Sequence, residues 1–332
     1  MNWSAAPSWE GARAVGPATR RFSRMGSAAA VAWLAAAAVT IGLPDLYDWD
    51  STRAVATTEA VVGLALLIAA ATARADRGFS RLRYWEPWIL ALGLLLLGWE
   101  LVTAKLGWLP RPFFAPPQGI VDVYVDDGAR LLECVLRSLF LFLSGYAIGV
   151  SGGILAGLAI GWSPLAAYWG RPLLKLIGPV PANAWLPIVL FVFPTTFSGS
   201  VFLVALASGV PVTILTWSGV ASVDRALYDV ARTHGADNRF LVRHVALPAA
   251  LPHVFVGLFM GLYSSFAVLV VAELLGVKAG LGWYLQWATG WAAYANVDAA
   301  LLVMAFVCSG LVKLLFLVRD RLLAWQKGLV RW

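Results

Sequence analysis

The stretch that decides the fold runs VFLVALASGVPVTILTWSGV (201–220), ASVDRALYDVARTHGADNRFLVRHVALPAALPH (221–253) and VFVGLFMGLYSSFAVLVVAELL (254–275). A bilayer core about 30 Å thick is crossed by roughly 20 mainly apolar helical residues. The first run carries no charged residue and the last carries only Glu273. Between them lies a polar segment with seven charged side chains and all three histidines of the chain. Two membrane helices joined by a structured polar loop follow from this alternation.

Similar apolar windows recur at 28–43, 54–71, 88–106, 138–161, 173–193 and 299–318, eight in all, within a chain of 332 residues. The composition agrees: 60% of residues are hydrophobic and 13% are charged, against roughly 25% charged in soluble domains. An all-α, polytopic membrane helix bundle is expected. The first window lacks a small-residue cleavage site and is read as a membrane helix rather than a removed signal.

Charge sets the orientation. With the N-terminus inside, segments 1–27, 74–87, 162–172, 221–253 and 319–332, with Lys175 and Lys313, hold 19 of the 25 Lys and Arg but only seven of the 18 acids. The inner side is net +12 and the outer side net −5, which matches the positive-inside bias. Both termini are expected on the cytoplasmic side of the membrane. Arg20, Arg21, Arg24, Arg74, Arg77, Arg81 and Arg83 then face anionic headgroups, so the net charge of +7 calls for no nucleic acid.

Several chemistries are excluded. No Lys is followed by Ser or Thr, so the phosphate-cradling loop that ends in Gly-Lys-Ser/Thr is missing. His234, His244 and His253 lack metal-ligand spacing and no Cys-x-x-Cys pair exists. Cys134 and Cys308 make no disulfide framework. No nucleophile with a base stands out in the apolar helices. A non-catalytic subunit without cofactor or metal is expected.

Three segments carry further information. Gly145, Gly149, Gly153, Gly157 and Gly161 form a stripe at every fourth residue, the small-residue pattern of a close helix crossing. Pro172, Pro179, Pro181 and Pro187 surround Gly178, Asn183 and Trp185, which predicts a broken or sharply bent membrane helix. Such backbone is tolerated at membrane depth only in protein or a water-filled cavity. Kinked packing is one reading of the 178–187 stretch and a lining of the translocation path the other; Asn183 and Trp185, with Tyr263, Ser264 and Glu273 on the 254–275 helix, are the candidates for that path. Glu273 is read as near the interface or in a cavity, with a gate or packing role weighed against substrate contact.

The polar loop reads as two short helices. In the first, Ala226, Leu227, Val230, Ala231 and His234 share a face, and Gly235 suits a left-handed stop. The second starts from Asn238 as N-cap, and Pro248 and Pro252 mark the bend into the membrane. An interfacial connection is one reading of such a loop; a docking element is the other.

On these residues the chain resembles the permease subunits of bacterial binding-protein-dependent ABC importers of the nitrate, sulfonate and taurine type, over roughly 88–325. The family's loop signature, Glu-Ala-Ala, three residues, Gly-Ala, then Leu-Pro-x-x-x-Pro, is matched by Asp229-Val230-Ala231, Gly235-Ala236 and Leu247-Pro248 to Pro252. Val271-Ala272-Glu273, Gly280-Leu281-Gly282 and Arg319-Asp320-Arg321-Leu322-Leu323-Ala324-Trp325 add to the similarity. Asp229 stands where the family has Glu, Leu141 where it often has Arg, and the 194–199 loop lacks its Phe-Gly pattern.

The resemblance implies a type I importer transmembrane domain of about six core helices, preceded by two extra N-terminal helices. It divides the chain into a cytoplasmic segment 1–27, an extra membrane segment 28–83, a permease domain 84–325 with a coupling loop 222–252, and a tail 326–332. It further implies that Asp229, Ala231, Arg232, Gly235, Ala236, Arg239 and Pro248 serve a pair of ATP-hydrolysing subunits. A second permease copy, an extracytoplasmic solute-binding protein and the lipid bilayer complete the implied partners. The cargo would be a small solute, expected to be anionic, moved by alternating access. A stand-alone secondary transporter or channel is the alternative; it calls for inverted repeats with paired interrupted helices or for intramembrane charges.

Overall fold

The computed structural model describes residues 24–72, 77–274 and 279–326, and every regular element among them is helical. The expected basic residues Arg20, Arg21 and Arg74, the rest of segment 1–23, and tail residues 327–332 lie outside the described residues. The chain divides into two compact units, Met1–Asp122 and Val123–Trp332.

The first unit contains α1 (Arg24–Gly42), α2 (Thr52–Thr72) and α3 (Arg77–Glu100), which runs on through a π-helical turn, Leu101–Lys105. The helix α4 (Pro117–Asp126) spans the division between the units. Alanine dominates the buried face of α1, where Ala29, Ala30 and Ala36 are fully buried. That slim face lets α2 and α3 approach: a Cβ at Gly63 would stand 2.8 Å from the Leu34 side chain, and one at Gly93 would stand 2.6 Å from the Trp33 ring. This compact unit takes in α3 and reaches Asp122.

The second unit contains α5 (Gly128–Trp162), α6 (Pro164–Ile177), a 3₁₀ turn (Ala182–Trp185), α7 (Leu186–Val192) and α8 (Thr196–Ala221). Then come α9 (Arg225–Thr233), the single turn α10 (Asn238–Phe240), a π-helical segment (Leu241–Ala246) and α11 (Leu247–Leu274). The helices α12 (Leu281–Gly290) and α13 (Tyr294–Leu322) follow.

The glycine stripe of α5 is applied to α8. Cβ atoms at Gly145, Gly153 and Gly157 would meet the Val201, Gly209 and Thr213 carbonyl oxygens at 2.8, 2.8 and 2.7 Å. On its other side α8 receives α11, where Cβ atoms at Gly257 and Gly261 would stand 3.1 Å from the Val212 Cα and 3.0 Å from the Ser208 carbonyl oxygen. Backbone proximity and dispersion hold helices together in lipid, where apolar burial between them gains little.

Seven described helices are long and apolar enough to cross a membrane, and the bent pair Pro164–Ile177 and Ala182–Val192 makes an eighth span if counted as one. That pair turns by 87° at the expected proline cluster. Pro187 falls in the first turn of α7, where its missing N–H has no intrahelical acceptor to lose. The expected bend at Pro248 does not form: a π-helical segment, Leu241–Ala246, precedes it, Pro248 falls in the first turn of α11, and Asn238–Leu274 continues as one 37-residue helix. A wider turn accommodates the donor that proline lacks without breaking the rod.

Candidate functional site

The polar loop is built by local hydrogen bonds. The Asp224 carboxylate caps α9 by accepting from the Ala226 N–H at 2.9 Å. At the other end Gly235 has φ +83°; its N–H donates to the Arg232 carbonyl at 2.9 Å, and the Ala236 N–H donates to the Ala231 carbonyl at 3.1 Å. These two bonds make a Schellman stop. The next cap is Asp237, accepting from the Phe240 N–H at 2.8 Å, so Asn238 is the first helical residue rather than the cap. Asp and Asn cap about equally well, and adjacent in sequence they are told apart only by where the chain leaves the Gly235 turn.

The loop presents most of its docking candidates outward. Asp229, Arg232, Gly235 and Arg239 are exposed, whereas Ala231, Ala236 and Pro248 are half-buried. A Cβ on Gly235 would have nothing within 4 Å. The apolar face expected on α9 is split: Leu227 and Val230 are 51% and 59% exposed, while Ala231 is half-buried. What turns inward is a residue the sequence reading left out, Tyr228. Its ring meets Trp162 edge-on at 5.7 Å and packs on the cluster of Val220, Ala246 and Ala250. Burial raises its phenol above the ordinary tyrosine value.

The path candidates divide among three places. Asn183 and Ser264 line one cavity of about 480 Å³, walled by residues 177–183, α8 and α11. None of its lining residues is charged. The Ser264 hydroxyl donates to the Ala207 carbonyl at 2.7 Å, and Asn183 is exposed. Trp185 stands behind this wall, packed on Leu186, Val189, Leu203, Ala207, Val268 and Ala272. Tyr263 lines a separate cavity of about 320 Å³ with Cys308, Val312, Lys313 and Phe316.

Glu273 lines neither cavity. It is 1% exposed; the Ser138 hydroxyl donates to it at 2.7 Å and the Gly282 N–H at 2.8 Å. Ser138 Oγ in turn accepts from the Leu281 N–H at 2.8 Å. The carboxylate thus fills the N-terminus of α12, where free N–H groups favour negative charge. Gly280, at φ +154°, leaves room for it, since a Cβ there would come within 2.5 Å of the carboxyl carbon. The acid at 273 and glycines at 280 and 282 therefore form one latch joining α5, α11 and α12.

Farther along α12, the Tyr284 hydroxyl donates to Asp127 at 2.6 Å and accepts from the Asn296 amide at 2.7 Å. Burial first, then the Asp127 carboxylate, raises the Tyr284 phenol. Arg130 lies over the Trp287 ring at 5.0 Å and 3.5 Å from Asp127. No group of three or more His, Cys, Asp or Glu among the described residues is arranged to hold a metal ion.

The geometry is that of a polytopic helical bundle of membrane-spanning length and hydropathy, with an exposed polar loop capped at Asp224 and stopped at Gly235. The chain belongs to the binding-protein-dependent transport system inner membrane components, whose family profile matches residues 149–327. It is 32% identical over 203 residues to a putative aliphatic sulfonates transport permease protein of Escherichia coli (strain K12), covering 59% of this chain and 75% of the relative. Against a taurine transport system permease protein of the same organism it is 31% identical over 246 residues, covering 72% and 86%. Against a nitrate import permease protein of Synechococcus elongatus it is 28% identical over 262 residues, covering 75% and 91%. Among solved structures, an inward-facing MetNI methionine ABC transporter chain aligns with a TM-score of 0.45 at 16% identity, covering 62% of this chain and 99% of that one.

Proposed function

We propose that the chain is the permease subunit of an ABC importer that carries a small anionic solute of the nitrate, sulfonate or taurine kind into the cytoplasm. The names of its relatives support the solute class. Two permease copies enclose the path, two ATPase subunits sit on the loops of residues 222–252, and a solute-binding protein delivers cargo to the outer face. The charge distribution supports cytoplasmic termini and a cytoplasmic loop. ATP-driven closure of the ATPases moves the cavity wall between outward and inward access, with residues 84–325 as the permease domain and Asn183 and Ser264 on the path.

One observation carries this reading: α9 and its Gly235 stop form a compact knob with Leu227 and Val230 uncovered and Asp229 and Arg232 free of ion pairs among the described residues. The test is to express the chain with its neighbouring reading frames and capture it. An ATPase copurifies with the unmodified chain, and Gly235→Asp abolishes the association. Undiminished capture by the variant defeats the docking model.

A further inference from the structure

Every residue of α9 except Tyr228 and Ala231 is exposed, so the helix grips the rest of its unit mainly through one aromatic ring. That ring packs against α8 and α11, two walls of the Asn183–Ser264 cavity, and against the end of α5, which leads into the third. Val220 belongs to α8, and Ala250 belongs to α11. Trp162 ends α5, one residue before α6 begins its course toward the Gly178–Asn183 break. Residues of α6 and the break after it, of α8 and of α11 line the cavity, whereas α5 itself lines none of it and reaches the wall only through its junction with α6. Helices transmit displacement as rigid bodies when their contacts are close-packed, and a ring wedged among three of them moves none independently of the others.

We propose that the Tyr228–Trp162 contact is the joint through which movement of the loop reaches the cavity wall, with Tyr228 and Trp162 as positioning residues. The contact acts through ring packing: a T-shaped pair with centroids 5.7 Å apart lies in the preferred aromatic geometry. Removing either ring uncouples the loop from the helices while leaving the outward face, Leu227, Val230 and the Gly235 stop, in place. The inference rests on the docking reading above.

The test uses the captured complex with its ATPase and a cysteine reporter at Val180, a cavity residue that is 40% exposed. Maleimide labelling of Val180→Cys is compared without nucleotide and after trapping with MgATP and vanadate. A chain lacking the reporter corrects for Cys134 and Cys308. With Tyr228 and Trp162 present, labelling changes by about fivefold or more, the range of ordinary site-to-site coupling. Tyr228→Ala and Trp162→Ala keep the ATPase and its vanadate trapping but lose most of that change, and Tyr228→Phe restores it. Retention of the full change in Tyr228→Ala overturns the joint, and so does loss of the ATPase from that variant, which makes Tyr228 a docking or folding residue. Failure of the unmodified chain to capture any ATPase refutes the docking reading instead.

Discussion

The two compact units hold their helices together by opposite means. In the unit up to Asp122 the polar centre is Lys105, whose ammonium donates to the Thr40 and Leu43 carbonyls at 2.8 Å each and pairs with Asp45 at 2.7 Å. Glu100 lies 3.6 Å from the same nitrogen and accepts from the Gln118 amide at 2.5 Å; Glu59 is buried beside Thr40 at 3.1 Å. In the unit from Val123 onward the main seam is α5 on α8, built from glycine and backbone contact. A polar network fixes one geometry because each group lost leaves another unsatisfied. A glycine seam fixes closeness through backbone contact, with no polar group left stranded when one residue changes. The seam belongs to the unit that carries the cavity and the loop.

The largest effect expected comes from breaking the network. Lys105→Met keeps the chain length but strands the Asp45 and Glu100 carboxylates, a loss of about 3–5 kcal/mol for a buried pair deprived of one partner. Thermal unfolding of the purified chain in detergent reads it, and a double change that also replaces Glu100 by Gln recovers part of the loss. Next in size is the seam. Gly153→Val drives a branched side chain against the Gly209 carbonyl, where even a Cβ would stand at 2.8 Å. Backbone cannot yield as a side chain can, so the cost lies near the top of the about 1–3 kcal/mol typical of overpacking. Gly152→Val, one residue away with nothing within 4 Å of its Cβ, is the matched control and stays near the parent.

These features differ in how far the sequence reveals them. The four-residue period of the glycines marks a contact face but cannot name the partner helix, because α8 and α11 both offer small residues. The proline cluster announces its break, since each proline removes a donor whatever lies nearby. Lys105 entered the sequence reading only as one positive charge on the outer side, and its burial depends on the carbonyls at the end of α1, 62 residues and more away in the chain. Tyr228 was hidden by helical periodicity: Leu227 and Val230 fit an inward face equally well, and only the position of Trp162 selects the tyrosine. Glu273 shows the same dependence. A lone acid in an apolar helix suggests a path, yet its donors, Ser138 and Gly282, come from other elements. Glu273→Gln is expected to cost about 1.5 kcal/mol, the low end for a charge-assisted hydrogen bond. It loosens α12 in hydrogen exchange without altering the labelling of a Val180→Cys reporter in the unliganded chain.

The smallest effect separates the stiff parts of the second unit from its uncovered loop. Gly235 is positive in φ but open around its missing Cβ, so Gly235→Ala pays only the left-handed backbone penalty, about 1 kcal/mol. That cost falls on the last turn of α9 and leaves the α5–α8 seam untouched, so the thermal midpoint shifts little while amide exchange at Ala236 quickens. ATPase capture by Gly235→Ala close to the parent, beside its loss in Gly235→Asp, assigns the aspartate effect to a clash or charge on the outward side. Equal loss in both variants means instead that the Schellman geometry itself is what the partner recognises, and the loop must then be counted among the rigidly specified parts of the molecule.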